Sequence, residues 1–131
     1  MPHFIIDCSE DILKMKNPDE IMQAVYEVAE ATQLFAENDI KVRINPYKHF
    51  KLGADKKNFI HIFGYIMEGR TTVQKADLSK KIITRLNEIF TDMSILSINI
   101  SEFEKTTYCN KAMIHPLNMT NDRHFNPVQK S

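Results

Sequence analysis

The first residues with chemical potential are Met1 and Pro2. Initiator methionine is usually removed when a small residue such as proline follows it, so the mature chain is expected to begin with a secondary amine. An α-amino group titrates near ~8, well below a lysine side chain, and apolar burial or nearby cations lower that pKa further. A neutral amine near pH 7 is a usable general base. Many chains begin with this dipeptide for no catalytic reason, so alone it is a weak signal.

Positive charge is concentrated in the middle of the chain. The 17 basic and 17 acidic residues balance overall, which argues against a general nucleic-acid binder. Residues 40–85 nevertheless hold eleven basic and three acidic residues, whereas residues 1–39 hold two basic and nine acidic residues. Two interpretations follow: a solvated charged face, or a pocket for small anions such as carboxylates or phosphates.

Metal and thiol chemistry have little support. The five histidines, at positions 3, 49, 61, 115 and 124, form no HExxH motif or short His-x₃-His pair, and the two cysteines form no CxxC motif. His61 is expected to be a hydrogen-bonded core histidine, and Cys8 a buried, inert thiol. The sequence thus predicts no metal and no cofactor. Two cysteines without a signal peptide predict a reduced, cytoplasmic protein, and no apolar run approaches the roughly 20 residues of a membrane span.

Hydrophobic periodicity predicts four strands and two long helices. Strands are predicted over residues 2–8, 40–45, 58–67 and 94–103, and helices over 18 to about 35 and 72–90. Asn17 before Pro18 predicts the first helix start, and Thr71 with Gln74 predicts a capping box at the second. Residues 9–16 are predicted to be a polar connection, and a small hairpin is predicted near Met113.

This order predicts an α+β fold: a β-α-β-β-α-β tandem repeat with a four-stranded mixed sheet and two helices on one face. We expect a single domain over residues 1–131, with βαβ units at about 2–45 and 58–103 and a C-terminal arm at about 104–131. Residues 58–67 are apolar or aromatic on both faces, which predicts oligomerisation over the second face. RNA-recognition modules share the plan, but the glycine and basic residues of their central-strand motif are absent. Nothing in the sequence excludes a second class with this plan, the small ferredoxin-like regulators.

Five blocks of the sequence carry a family resemblance. The opening Met-Pro-His-Phe-Ile-Ile-Asp-Cys-Ser-Glu-Asp-Ile closely resembles the start of the 5-carboxymethyl-2-hydroxymuconate Δ-isomerase family, in the tautomerase superfamily. Similar blocks follow in order: Ile40-Lys41-Val42-Arg43; Phe59-Ile60-His61 with Glu68-Gly69-Arg70; the 96–102 strand; and the segment from Tyr108 to His115. The resemblance covers about residues 2–115.

The resemblance implies a homotrimer with active sites at subunit interfaces and an amino-terminal proline, here Pro2, as general acid/base. It also implies cationic side chains that hold substrate carboxylates. The family's Gly-Arg arginine falls on Arg70, and its Ile-Arg-x-Arg arginines fall on Lys41 and Arg43. Lysine keeps the charge but loses the planar fork that grips a carboxylate twice, so either Lys41 or Arg43 could take the role of the first arginine.

The predicted function is therefore cofactor-free ketonisation of a small carboxylated enol of the 2-hydroxymuconate type, such as 5-carboxymethyl-2-hydroxymuconate. Partners are expected to be this substrate and two further copies of the chain, with no nucleic acid and no membrane. Two alternatives stay open: a non-catalytic trimeric protein that binds small anions, and a tautomerase acting on aryl-pyruvate enols.

Overall fold

A computed structural model of the protein describes residues 1–115. Its elements are β1 (His3–Ser9), α1 (Ile12–Met15), α2 (Pro18–Ala31), β2 (Lys41–Tyr47), β3 (Ile60–Met67), α3 (Thr72–Ile89), β4 (Leu96–Phe103) and α4 (Lys111–Ile114). The sheet has the order β2-β1-β3-β4. Strands β1 and β2 are parallel, as are β3 and β4, whereas β1 and β3 are antiparallel. The predicted four-stranded mixed sheet is confirmed.

Both long helices begin where local sequence predicts. The Asn17 side chain accepts a hydrogen bond from the Asp19 N–H at 2.8 Å, and Pro18 occupies the first turn of α2. At α3, the Thr71 hydroxyl and Gln74 amide form the predicted reciprocal capping box. Helix α2 ends at Ala31, before the predicted end at about residue 35. Gln33 then takes a left-handed backbone conformation with φ 58°, which does not continue a helix.

The core lies between the sheet and the two long helices. Phe4 and Ile6 of β1 and Ile62 of β3 are fully buried there, together with Val25 of α2 and Ile82 of α3. Gly64 of β3 lies against the Ile100 side chain in this layer, and a Cβ at that position would lie 2.6 Å from Ile100 Cδ1, so that side chain would have to move. The two long helices therefore cover one face of the sheet, as predicted.

The second face of the sheet is only partly covered within one chain. His61, Phe63 and Tyr65 project from it and are half-buried. His61 is hydrogen-bonded, with Nδ1 2.7 Å from Ser97 Oγ and Nε2 2.7 Å from Asn99 Oδ1. The prediction that His61 belongs to the core was wrong, since its bonds lie on this open face. Burial of β3 on both sides is thus not achieved by the single chain.

Two short elements differ from the predictions. The expected polar connection 9–16 contains α1, which the fully buried Ile12 anchors to the core. The expected hairpin near Met113 is instead α4, because the Asn110 side chain accepts from the Met113 N–H and begins a helical turn. Residues 116–131 of the predicted C-terminal arm lie outside the described residues. Within residues 1–115, no helix is long and apolar enough to cross a membrane.

Candidate active site

The amino terminus is held at the end of the sheet. Pro2 is buried, and its carbonyl accepts a hydrogen bond of 3.0 Å from the Lys41 N–H, which extends the parallel pairing of β1 and β2 by one residue. The Met1 amine lies 3.1 Å from Asp39 Oδ2. Sheet pairing therefore fixes the position of the amino terminus, as a terminal amine acting as a base would require.

The surroundings of this amine disfavour its charged form. Burial lowers the pKa of the Met1 amine below its usual value of 8.0, and the positive charges of Arg70 and Lys41 lower it further. The contact with Asp39 acts in the opposite direction, but the pKa remains lowered. The sequence predicts a lowered pKa for the amine of Pro2, the next residue along the chain.

Arg70 reaches this end of the sheet from the turn after β3. Gly69, with φ 120°, makes the turn possible because a side chain rarely tolerates that conformation. The Arg70 guanidinium donates to the carbonyl of Met67 at 3.3 Å and to that of Leu34, and its Cζ lies 5.3 Å from the centre of the Phe35 ring. Neutral carbonyls and one ring thus hold the guanidinium in place without cancelling its charge.

Lys41 and the amine contact the same carboxylate, that of Asp39. Lys41 Nζ donates to the Asp39 main-chain carbonyl at 2.6 Å and lies 3.2 Å from Asp39 Oδ1. The Met1 sulfur also rests against this ammonium. An unprocessed Met1 therefore covers one of the two cations nearest the terminus.

Arg43 lies apart from this group. It projects from the same face of β2 as Lys41, roughly 7 Å further along the strand, and its Nη1 is 3.1 Å from His3 Nδ1. Burial, followed by the charges of Arg43 and Lys41, lowers the pKa of His3, so a neutral His3 accepts this bond. The structure brings Lys41 and Arg70 to the amine, whereas Arg43 binds the neighbouring strand.

Asp39 is the residue of this group that the sequence analysis missed. A signal was present, because an acid directly precedes the alternating strand that begins at residue 40. Finding it needed the register of β1 on β2, which pairs His3 with Lys41 and so brings Met1 beside Asp39. That register is a tertiary property with no local sequence pattern.

Similar proteins identify the family. The model of the 5-carboxymethyl-2-hydroxymuconate isomerase family matches residues 2–118. No curated protein matches. Among solved structures, a 5-carboxymethyl-2-hydroxymuconate isomerase from Deinococcus radiodurans R1 is 22% identical, with TM-score 0.73 over 84% of this chain and 88% of that one.

Two further solved structures share the fold at lower identity. A 5-carboxymethyl-2-hydroxymuconate delta-isomerase is 15% identical, with TM-score 0.66 over 89% of this chain and 92% of that one. A macrophage migration inhibitory factor-like protein from Entamoeba histolytica is 15% identical, with TM-score 0.66 over 84% of this chain and 95% of that one. These likenesses establish the fold, and the family model, which spans most of the sequence, establishes the membership. The chain belongs to the 5-carboxymethyl-2-hydroxymuconate isomerase family, and it is an isomerase.

Proposed function

We propose that this isomerase ketonises a small 2-hydroxy-2,4-dienoate of the 2-hydroxymuconate type, such as 5-carboxymethyl-2-hydroxymuconate, with Pro2 as general acid/base once Met1 is removed. The observation that carries the proposal is the buried amino terminus beside Arg70 and Lys41, with the amine pKa held below its usual value. Burial and the same two cations would disfavour the protonated form of a Pro2 amine at this position, and the cations attract a carboxylate.

The reaction is a proton transfer within one substrate. The Pro2 nitrogen accepts the proton of the enol hydroxyl; the O–H bond breaks and its electrons form the carbonyl. The conjugated double bonds shift, and a carbon along the chain takes a proton from the prolinium, forming a C–H bond. No electrons leave the substrate, so no oxidant is needed. Arg70 and Lys41 stabilise the dienolate while its negative charge is largest.

The homotrimer is the second part of this proposal. The half-buried aromatic rings of the open face support it, since a second sheet face with such rings is typical of an interface. Tyr65 and Phe103 stack there with ring centres 6.0 Å apart, and Phe103 lies 5.8 Å from Tyr108. Packing against other copies would bury this cluster and enclose the end of the sheet where the amine lies.

The decisive test compares protein with and without Met1. Methionine retention is obtained by expression with the methionine aminopeptidase inhibited, and intact mass spectrometry verifies each form. In the retained form the Pro2 nitrogen is an amide without a basic lone pair, so ketonisation of 2-hydroxymuconate should fall by about a hundredfold or more. Equal activity of the two forms would refute Pro2 as the base. Matching circular dichroism spectra control for folding.

A further inference from the structure

The connection between α2 and β2 forms one wall around the Arg70 guanidinium. Leu34 supplies a carbonyl that the guanidinium binds, and the ring centre of the next residue, Phe35, lies 5.3 Å from Arg70 Cζ. Neither contact involves Met1, so removal of that residue takes neither of them away. Arg70 is thus held from a distant part of the sequence by two consecutive residues.

The main chain after α2 presents these two residues to Arg70. Gln33 takes a left-handed conformation with φ 58°, which turns the chain out of the helix. The Thr32 hydroxyl donates to the Ala29 carbonyl at 2.6 Å and accepts from the Leu34 N–H at 3.3 Å. Leu34 is therefore tied to the end of α2 through its N–H, while its carbonyl binds Arg70.

The Phe35 ring also connects Arg70 to the core. It meets the ring of Phe4 in β1 edge to face, with ring centres 6.2 Å apart, and Phe4 is fully buried. Phe4 lies two residues after Pro2, on the strand that carries the proposed base. A ring that is packed against the core is a fixed surface on which a guanidinium can rest.

This support keeps the charge of Arg70 available to an anion. An acidic partner would hold the guanidinium but would also compete with a substrate carboxylate for it. Among the side chains of residues 1–115, no acid forms an ion pair with Arg70. An arginine that is already ordered loses less conformational entropy when it binds a carboxylate.

We propose that Phe35 is a positioning residue for the reaction and that it acts through Arg70. Its ring orients the guanidinium at the end of the sheet where Pro2 lies, so a substrate carboxylate meets an ordered cation. The inference rests on the proposed function, because Arg70 serves the same site. In this role Phe35 contacts neither the substrate nor the base.

The first test removes the aromatic ring and keeps an apolar side chain. Phe35→Leu in the Met-free enzyme should lower kcat/KM on 2-hydroxymuconate by about three- to tenfold. Phe35→Tyr keeps the ring and should stay close to wild type. Phe90→Leu is the matched control, since it makes the same change at a buried ring at the opposite end of α3 from Arg70, and it should leave kcat/KM unchanged.

A double-variant cycle separates positioning from a general structural role. If Phe35 acts through Arg70, Phe35→Leu should have no further effect on kcat/KM in an Arg70→Ala background. A merely structural role would lower kcat/KM by the same factor in both backgrounds, and that result would overturn the proposal. Wild-type kcat/KM in Phe35→Leu would overturn it as well.

A second variant keeps the proposal testable if Phe35→Leu does not fold. Thr32→Val keeps the shape of the side chain but removes the hydroxyl that binds the Leu34 N–H. It should lower kcat/KM by about two- to threefold, and only when Arg70 is present. An equal fall in the Arg70→Ala background, or no fall at all, would count against the proposed support of Arg70.

Binding of an unreactive acid separates this inference from the proposed function. Muconate has two carboxylates and a diene but no hydroxyl group to ketonise. By titration calorimetry, Phe35→Leu should weaken its binding by about three- to tenfold, and Phe90→Leu should not.

The outcomes are distinct. If 2-hydroxymuconate is not ketonised but muconate affinity falls in Phe35→Leu alone, the proposed function fails and the positioning of Arg70 stands. If the enol is ketonised and neither kcat/KM nor affinity falls, Phe35 does not position Arg70. If the enol is not ketonised and muconate does not bind wild type, there is no anion site to order and the inference is overturned too.

Discussion

The outer strands β2 and β4 occupy equivalent places in the two βαβ units, yet their open faces differ in chemistry. On β2 this face carries Lys41 and Arg43, whereas on β4 it carries Ser97 and Asn99. The β4 residues bind the His61 ring, and Arg43 of β2 binds His3. The fold repeats, but the charge does not. The two βαβ units therefore repeat the fold without repeating the charge of its open face.

The two ends of the sheet also differ in charge. Because β1 and β3 are antiparallel, the start of β1 lies beside the end of β3, and the turn after β3 carries Arg70 to the amino terminus. At the other end, Ser9 donates to the Asn58 side chain at 2.8 Å, a neutral pair. The antiparallel direction of β1 and β3 thus brings the terminal amine and the Arg70 cation, which are far apart in the sequence, to one end of the sheet.

Loss of Arg70, at the end of the sheet that holds the amino terminus, should cause the largest fall in kcat/KM. Arg70→Ala removes a charge-assisted contact to the substrate carboxylate, which is worth about 1.5–3 kcal/mol, or roughly ten- to a hundredfold in kcat/KM. Steady-state kinetics on 2-hydroxymuconate would measure this loss of kcat/KM. Arg85→Ala is the matched control, since Arg85 lies on the exposed side of α3 and pairs with Glu88 at 3.5 Å. Equal activity of Arg70→Ala and Arg85→Ala would place the anion site elsewhere.

The open face should be covered in solution by other copies of the chain. Sedimentation at micromolar concentration should give close to three times the 15.3 kDa mass of one chain. Phe63→Glu would place an unpaired charge in that interface and should yield smaller species. Val73→Glu makes the same type of change at a side chain that is 78% exposed on α3, and it should leave the mass unchanged. A wild-type monomer would rule out the homotrimer.

Features that depend on residues close in sequence could be predicted, whereas contacts between residues far apart in sequence could not. The Asn17–Pro18 and Thr71–Gln74 pairs act within one helical turn, so the starts of α2 and α3 could be predicted from the sequence. Strand alternation likewise put Lys41 and Arg43 on one face. Asp39 could not be predicted, because its contacts depend on the register between β1 and β2, and α4 was missed because its Asn110 cap precedes only a single turn.

The smallest expected effect is the pH dependence of the base, and its sign follows from the surroundings of the amine. Burial first, and then the charges of Arg70 and Lys41, lower the pKa of the Met1 amine, while Asp39 partly offsets them. We expect the same groups to act in the same directions on the Pro2 amine once Met1 is removed. Below its pKa the amine is protonated and inactive, so kcat/KM should rise with pH and reach its plateau through a midpoint below the ~8 of a free α-amino group. Arg70→Ala removes one of the repelling charges and should move this midpoint to higher pH, whereas Asp39→Asn should move it lower and Arg85→Ala should leave it in place. A midpoint at or above ~8 in the kcat/KM profile of the Met-free wild type would contradict this prediction. It would mean that the charged groups at this end of the sheet do not lower the pKa of the amine.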